Sequence, residues 1–191
     1  MAEKQEQLEL LQTLISKNSV THNEAKISGF LVEYLKASGF EVQLQEFAPG
    51  RTNIIAQKGK REGSVLLCGH LDTVPPYNYG ERDPFKMEIK GDTIRGLGAW
   101  DMKSGLALIL ACARLCKPVK RGLRIVLTSD EENISEGTWF AQMNGTYSGC
   151  SIALSHEIPD ASGYVPGTRR PPVLLGRRGR CIYRFTVSGI S

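Results

Sequence analysis

The sequence lacks any apolar run that could cross a membrane. A membrane-spanning helix needs about 18 consecutive apolar residues, and no stretch of the 191-residue chain approaches that length. Residues 1–6 also lack the basic-then-apolar pattern of a signal peptide. We therefore predict a cytoplasmic protein that has no membrane partner.

Cysteines that could form a disulfide framework are also missing, and the charge is nearly balanced. The five cysteines are an odd number and include no C-x-x-C pair, which favours a reducing compartment.

The net charge is +4, and part of it lies in residues 169–170 and 177–180. A solvated loop explains these arginines more simply than a nucleic-acid surface does, so we predict no nucleic-acid partner.

The spacing of apolar residues alternates between helical and extended patterns along the chain. Strands that alternate with helices favour an α/β fold, with helices on both faces of a mostly parallel central sheet. This pattern predicts a three-layer α/β/α architecture. The predicted helices are 3–17, 23–38, 102–116 and 135–143, and the predicted strands are 41–47, 52–57, 65–70, 122–128 and 151–154, with a hairpin at 86–94.

Isolated carboxylates and a histidine come directly after three of the predicted strands. His70 ends the first of these strands and Asp72 follows it, residues 130–132 (Asp-Glu-Glu) follow the second, and His156 and Glu157 follow the third. The carboxyl ends of parallel strands in an α/β sheet meet at one crevice, where ligands bind. We therefore expect these side chains to converge on a metal site.

Each of these motifs also has a simpler interpretation. His70 could be a surface histidine, although a metal-bound His70 could donate its second ring N–H to Asp72. Asp101 follows a Gly96-x-Gly98 pair, and it could bridge two cations, cap the next helix or belong to half of a dinucleotide fingerprint. The last of these is weak because Asp101 occupies the third glycine position and would repel a pyrophosphate.

The acidic triplet 130–132 is the most informative of these motifs. Neighbouring side chains on an extended backbone point to opposite sides, so Glu131 and Glu132 should have different roles. One would bind a metal, and the other would act as a general base towards water. The simpler interpretation is an acidic loop that caps the helix beginning near Ser135.

Together, three ordered motifs resemble the di-zinc amidohydrolase and exopeptidase superfamily, which includes aminoacylase, carboxypeptidase G, acetylornithine deacetylase and succinyl-diaminopimelate desuccinylase. The motifs are Gly-His-Leu-Asp-Thr-Val-Pro at 69–75, Gly-Ala-Trp-Asp-Met-Lys-x-Gly at 98–105 and Asp-Glu-Glu at 130–132. The resemblance implies a zinc-exopeptidase-like fold and a hydrolase of amide or peptide C–N bonds. Its substrate would be a small N-acylated amino acid or a peptide.

The resemblance also implies a role for each matching residue. His70 and Glu157 would bind one metal, Glu132 would bind the other, and Asp101 would bridge the two. Asp72 would orient His70, and Glu131 would be the general base. The ions would be Zn²⁺, with Co²⁺ or Mn²⁺ as alternatives. The peptide between Asp101 and the next residue is expected to be cis, as it often is in relatives.

This chain departs from the family pattern in two ways. Relatives usually place proline directly after the ligand carboxylate, whereas Ile158 follows Glu157 here, which leaves His156 or Asp160 as alternative donors. Relatives also continue into a dimerisation or lid domain, and they then supply a final histidine ligand. We therefore expect a partial catalytic domain over 1–172 and the start of a truncated second domain over 173–191.

The expected consequence is one nearly complete metal position, His70, Asp101 and Glu157, and one deficient position, Asp101 and Glu132. Activity would then be impaired in this chain, and intact relatives would commonly be homodimers. The alternative is a non-catalytic metal-binding or interaction domain.

Overall fold

The computed structural model describes residues 2–116 and 121–157. Residues 173–191 and the alternative donor Asp160 lie outside this range. The helices within it are α1 (Ala2–Ser16), α2 (Ala25–Ala37), α3 (Ser104–Leu115) and α4 (Glu136–Met143), and a kinked turn, Ala99–Lys103, precedes α3. The strands are β1 (Glu41–Ala48), β2 (Arg51–Lys58), β3 (Ser64–His70), β4 (Glu88–Lys90), β5 (Thr93–Arg95), β6 (Leu123–Thr128) and β7 (Cys150–Ser155).

Five strands form one mixed sheet in the order β1-β2-β6-β3-β7. Strands β6, β3 and β7 are parallel to one another, whereas β2 is antiparallel to both of its neighbours. Four of the five strands therefore run in the same direction, which confirms the predicted mostly parallel sheet. The exception arises because the short turn after β1 permits only an antiparallel partner.

Helices cover both faces of the sheet, as predicted. Successive residues of a strand point to opposite faces. Ile54 is fully buried in the core that contains α1, α2 and α3. Its neighbour Asn53 donates a hydrogen bond to the carbonyl of Gly137 in α4, 2.8 Å away. Helix α4 thus forms the third layer, and β6 is buried along its whole length between the layers.

Helix α3 is less covered than its apolar sequence predicts. Seven of its residues are buried, but Leu108 and Leu115 are 49% and 62% exposed. Within the described residues, no helix is both long and apolar enough to cross a membrane.

Candidate metal centre

Part of the predicted convergence of side chains at one edge of the sheet occurs. His70 is the last residue of β3, and Glu132 lies in the turn that follows the parallel strand β6. Asp101 comes from the kinked turn before α3, where its own backbone is not helical. Ligand-type atoms of His70, Asp101 and Glu132 all lie within 4.8 Å of one another. The structure therefore brings three of the four predicted metal ligands together.

The backbone of Asp72 orients the His70 ring. His70 Nδ1 donates a hydrogen bond to the Asp72 carbonyl oxygen, 2.9 Å away, whereas the Asp72 carboxylate oxygen is 3.6 Å away. The expected hydrogen bond from His70 to the Asp72 carboxylate is therefore replaced by one to the main chain. The other ring nitrogen, His70 Nε2, faces Asp101 Oδ1 at 2.9 Å. Nε2 is therefore the nitrogen that would bind a metal.

The Asp72 carboxylate instead binds the turn formed by residues 131–134, which we call the acidic turn. Its two oxygens accept hydrogen bonds from the backbone amides of Glu131 and Glu132, at 3.0 and 3.1 Å. Thr21 Oγ1 donates a third bond at 2.9 Å. Since Asp72 is buried, these contacts fix the backbone position of both glutamates relative to His70.

The two glutamates do not point to opposite sides, because their backbone is not extended. Asp130 has a left-handed backbone with φ 72°, and residues 131–134 form a turn. Glu131 Oε2 consequently lies 3.9 Å from His70 Nε2, on the same side as Glu132. The helix-capping interpretation is correct for Asp130 alone, whose carboxylate accepts the backbone amides of Ile134 and Glu136.

Asp101 does not cap helix α3. No side chain caps that helix, and the Asp101 carboxylate faces His70 instead. The Asp101–Met102 peptide bond is cis, as predicted. Gly98 begins the turn with φ 73°, and a Cβ there would come within 2.5 Å of Thr73 Cγ2. The glycine pair follows the antiparallel hairpin β4–β5, so the parallel strand that a dinucleotide fingerprint requires is missing.

Glu157 does not belong to the three-residue group. It follows β7, and its charge contributes to raising the pKa of Glu131. The alternative donor His156 is also outside the group, and its Nδ1 is buried without a hydrogen-bond partner among the described residues. Glu157 as a metal ligand therefore stays a prediction.

Comparison with known proteins identifies the family. The sequence profile described as Peptidase family M20/M25/M40 matches residues 66–165, which is more than half of the chain. The chain belongs to this peptidase family. Within the family it is 36% identical over 142 residues to the acetylornithine deacetylase of Vibrio vulnificus, a match that covers 68% of this chain and 37% of that protein.

Two further matches extend this comparison. The chain is 34% identical over 203 aligned positions to the succinyl-diaminopimelate desuccinylase of a Methylobacterium species, covering 95% of this chain and 48% of the relative. A Staphylococcus aureus tripeptidase structure superimposes with a TM-score of 0.66 at 26% identity, over 79% of this chain and 42% of that one. The chain thus spans less than half the length of these family members.

The electrostatics of the candidate site favour a bound cation. Burial, together with the Asp101 carboxylate, raises the pKa of Glu132 to about 7, and burial also raises the pKa of Glu131. Burial disfavours the His70 imidazolium, but the hydrogen bond to Asp101 and the negative charges of Asp72 and Glu131 nearby outweigh it and raise the pKa of His70 to about 10. A proton on His70 thus neutralises part of the surrounding negative charge, and a metal ion would take over that role.

The donor set fits a divalent metal ion. One imidazole nitrogen and two carboxylates are common ligands of zinc, and cobalt and manganese also accept such donors. His70 is fixed through Nδ1 and presents Nε2. His70, Asp101 and Glu132 would supply donor atoms to the metal centre.

Sequence reasoning missed a buried ion network that supports the acidic turn. Arg51, at the start of β2, contacts Asp130 Oδ1 at 2.9 Å and Glu24 Oε1 at 2.7 Å. Asp130 is fully buried, and Glu24 is 5% exposed. An arginine at the start of a strand and a glutamate before a helix are common in sequences, so no local pattern indicated this cluster. Thr21, which contacts Asp72, was missed for the same reason.

Replacing Asp72 by Asn tests the support of the acidic turn. The amide group presents N–H donors to at least one of the Glu131 and Glu132 backbone amides, so one hydrogen bond is lost. We expect zinc affinity to fall about 10- to 100-fold, measured by competition with a chromogenic chelator. Thr21→Val is the matched control, since it removes only the hydroxyl contact and should change affinity less than threefold. Equal losses in both variants would contradict this role of Asp72.

Proposed function

We propose that this chain is the metal-binding part of a hydrolase that cleaves amide or peptide C–N bonds in N-acylated amino acids or peptides. The observation that carries the proposal is the His70, Asp101 and Glu132 group, with the Glu131 carboxylate beside it. Membership of the peptidase family, and relatives named as a deacetylase, a desuccinylase and a tripeptidase, support the same reaction class.

Zinc is the proposed ion, with cobalt or manganese as alternatives. When bound, such ions polarise an amide carbonyl and lower the pKa of water, from 15.7 towards about 7 for zinc. His70 and Glu157 would hold one ion, Glu132 the other, and Asp101 would lie between the two. Of these, Glu157 has the least support because it lies outside the group.

Glu131 is the proposed general base. Its half-buried carboxylate accepts a proton from the attacking water, whose oxygen forms a bond to the amide carbon. The C–N bond then breaks, and Glu131 returns the proton to the leaving amine nitrogen. The products are a carboxylate and an amine. The Asp72 contacts with the backbone of Glu131 keep its carboxylate next to the reacting centre.

Zinc titration tests the metal proposal. We expect one tight site and a second site at least about tenfold weaker, because the second has fewer donors. Asp101→Asn should weaken the tight site at least about 100-fold, since removing a direct ligand exceeds the 10- to 100-fold effect of removing a supporting contact. Asp92→Asn, an exposed carboxylate in the β4–β5 turn, is the matched control and should bind like the unmodified chain.

The outcomes of this titration separate the possibilities. Two equally tight ions would refute the deficient second position. No zinc binding, or binding that Asp101→Asn leaves unchanged, would refute the metal site. Metal binding as expected, with hydrolysis of no N-acyl amino acid or dipeptide even by a longer polypeptide that contains this chain, would favour a non-catalytic metal-binding domain. We expect little hydrolysis by this chain alone.

The remaining proposals rest on the sequence. They are a cytoplasmic location, a catalytic part over 1–172 that is followed by the start of a dimerisation domain over 173–191, and homodimeric assembly in the intact relatives.

A further inference from the structure

We propose that the cavity beside Trp100 is a subsite for a carboxylate at the far end of the substrate. The inference rests on the proposed function and narrows its substrate class. The preferred substrates are N-acylated amino acids or peptides that carry a negative charge remote from the amide to be cleaved.

The cavity is large enough for such a group. It encloses about 400 Å³ and lies between the loop that contains Tyr79 and Arg82, the β4–β5 hairpin and the Trp100 side chain. A carboxylate with two or three methylene groups occupies only part of this volume, so the end of an acyl chain or an acidic side chain fits without movement of the protein.

Three cations line this cavity without neutralising partners. Arg82, Lys86 and Arg95 are exposed, and none of them has a carboxylate oxygen within 4.0 Å among the described residues. Arg82 donates only to the Tyr79 carbonyl. Two carboxylates, Asp83 and Glu88, also line the cavity, so a surplus of positive charge remains.

This cavity adjoins the metal centre. A second cavity, of about 350 Å³, is lined by Asp101 and Glu132 of the candidate metal centre. The two cavities share Tyr79 and Trp100 as lining residues, together with Gly96 and Ala99. Trp100 is 53% exposed. A substrate whose amide lies at the metal centre can therefore extend across Trp100 and place its end among the cations.

The distribution of charge makes this end position selective. A carboxylate beyond Trp100 is attracted by Arg82, Lys86 and Arg95, which outnumber the two carboxylates that line the same cavity. An uncharged end of the same size gains nothing there. Each exposed ion pair is weak, so the three together should give about a tenfold preference at low salt, which higher salt should reduce.

The preference can be measured by tryptophan fluorescence. The chain has two tryptophans, and Trp139→Phe leaves Trp100 as the only reporter. Two ligands are titrated, an N-succinyl amino acid amide and its succinamide analogue, which differ only in the terminal carboxylate. We expect the carboxylate ligand to bind about tenfold more tightly in 20 mM salt.

Substitution of the cations assigns the preference to this cavity. The triple variant Arg82→Gln, Lys86→Gln and Arg95→Gln should reduce the preference to less than twofold and leave binding of the uncharged ligand unchanged. The matched control is Lys26→Gln, Lys36→Gln and Lys60→Gln, which removes three exposed charges elsewhere and should keep the tenfold preference. Equal binding of the two ligands, or loss of the preference in the control, would overturn the proposal.

The measurement is made both with zinc and in a chelator, so that the two proposals fail separately. If zinc binds as proposed but the ligands do not differ, the subsite proposal is wrong and the proposed function stands. If the preference depends on the three cations but no zinc binds, the subsite stands and the metal site is wrong.

Discussion

Replacing Glu131 by Gln should lower kcat about 10³-fold while metal binding is retained. General acid–base groups contribute about 10²- to 10⁴-fold to a rate, and an amide cannot accept the proton of the attacking water. Gln has nearly the same shape, and Asp72 contacts only the backbone of residue 131. The turn and its metal ligands should therefore stay in place.

The measurement uses whichever form of the protein shows turnover, either this chain or a longer polypeptide that contains it. Its substrate comes from a screen of N-acetyl and N-succinyl amino acids and dipeptides. Metal content is determined on the same samples. Glu136→Gln changes an exposed glutamate of the same segment and should leave kcat unchanged. A Glu131→Gln variant that keeps more than a tenth of kcat would rule out Glu131 as the general base.

Replacing Arg51 by Met should reduce the free energy of unfolding by about 3 kcal/mol at neutral pH. Breaking a buried ion pair on one side costs about 3–5 kcal/mol, and the Arg51 side chain is 12% exposed, which favours the lower value. The buried carboxylates of Asp130 and Glu24 lose their cation. Urea denaturation followed by circular dichroism measures the change.

The Arg51 effect should depend on pH in a defined direction. Burial raises the pKa of Asp130, but hydrogen bonds from the Glu136 amide and Arg51 outweigh it and leave the pKa below the ordinary 3.8. The contribution of Asp130 is therefore complete above pH 3.8 and is lost as the pH falls through its lower folded-state value. The difference between Arg51→Met and the unmodified chain should shrink in acid.

Lys36→Met is the matched control for Arg51→Met. Lys36 pairs with Glu33 at 3.7 Å on the surface, and both side chains are more than half exposed. Such pairs contribute about 0–1 kcal/mol, so this variant should be nearly as stable as the unmodified chain. Equal losses in the two variants would show that the Arg51 network contributes no more than a surface ion pair.

The fold was largely predictable because its elements carry strong periodic signals. Ile27, Leu31 and Leu35 recur at helical spacing and are all fully buried in α2. The predicted strand 122–128 corresponds to β6, which is buried throughout. The burial of α3 was less predictable, since nothing in its apolar sequence indicates that Leu108 is half exposed to solvent.

The candidate site was predictable only where its members lie in local motifs. His70 ends strand β3, Glu132 lies in the turn after β6, and Asp101 follows a pair of glycines. Each position could therefore be recognised from its local sequence. That the side chains of Glu131 and Glu132 lie on the same side was not predictable from the sequence, because it depends on the left-handed backbone at Asp130. Such a conformation is uncommon for a residue other than glycine.

The dual use of Asp72 determines how the site tolerates mutation. His70 is oriented by the main-chain carbonyl of residue 72, which every amino acid possesses, so the ring's direction depends little on which side chain stands there. The backbone amides of Glu131 and Glu132, in contrast, are held by that side chain. Substitutions of Asp72 should therefore leave the orientation of the His70 ring unchanged. They should instead displace the carboxylates of Glu131 and Glu132, so the loss of function at this position should come from the glutamates.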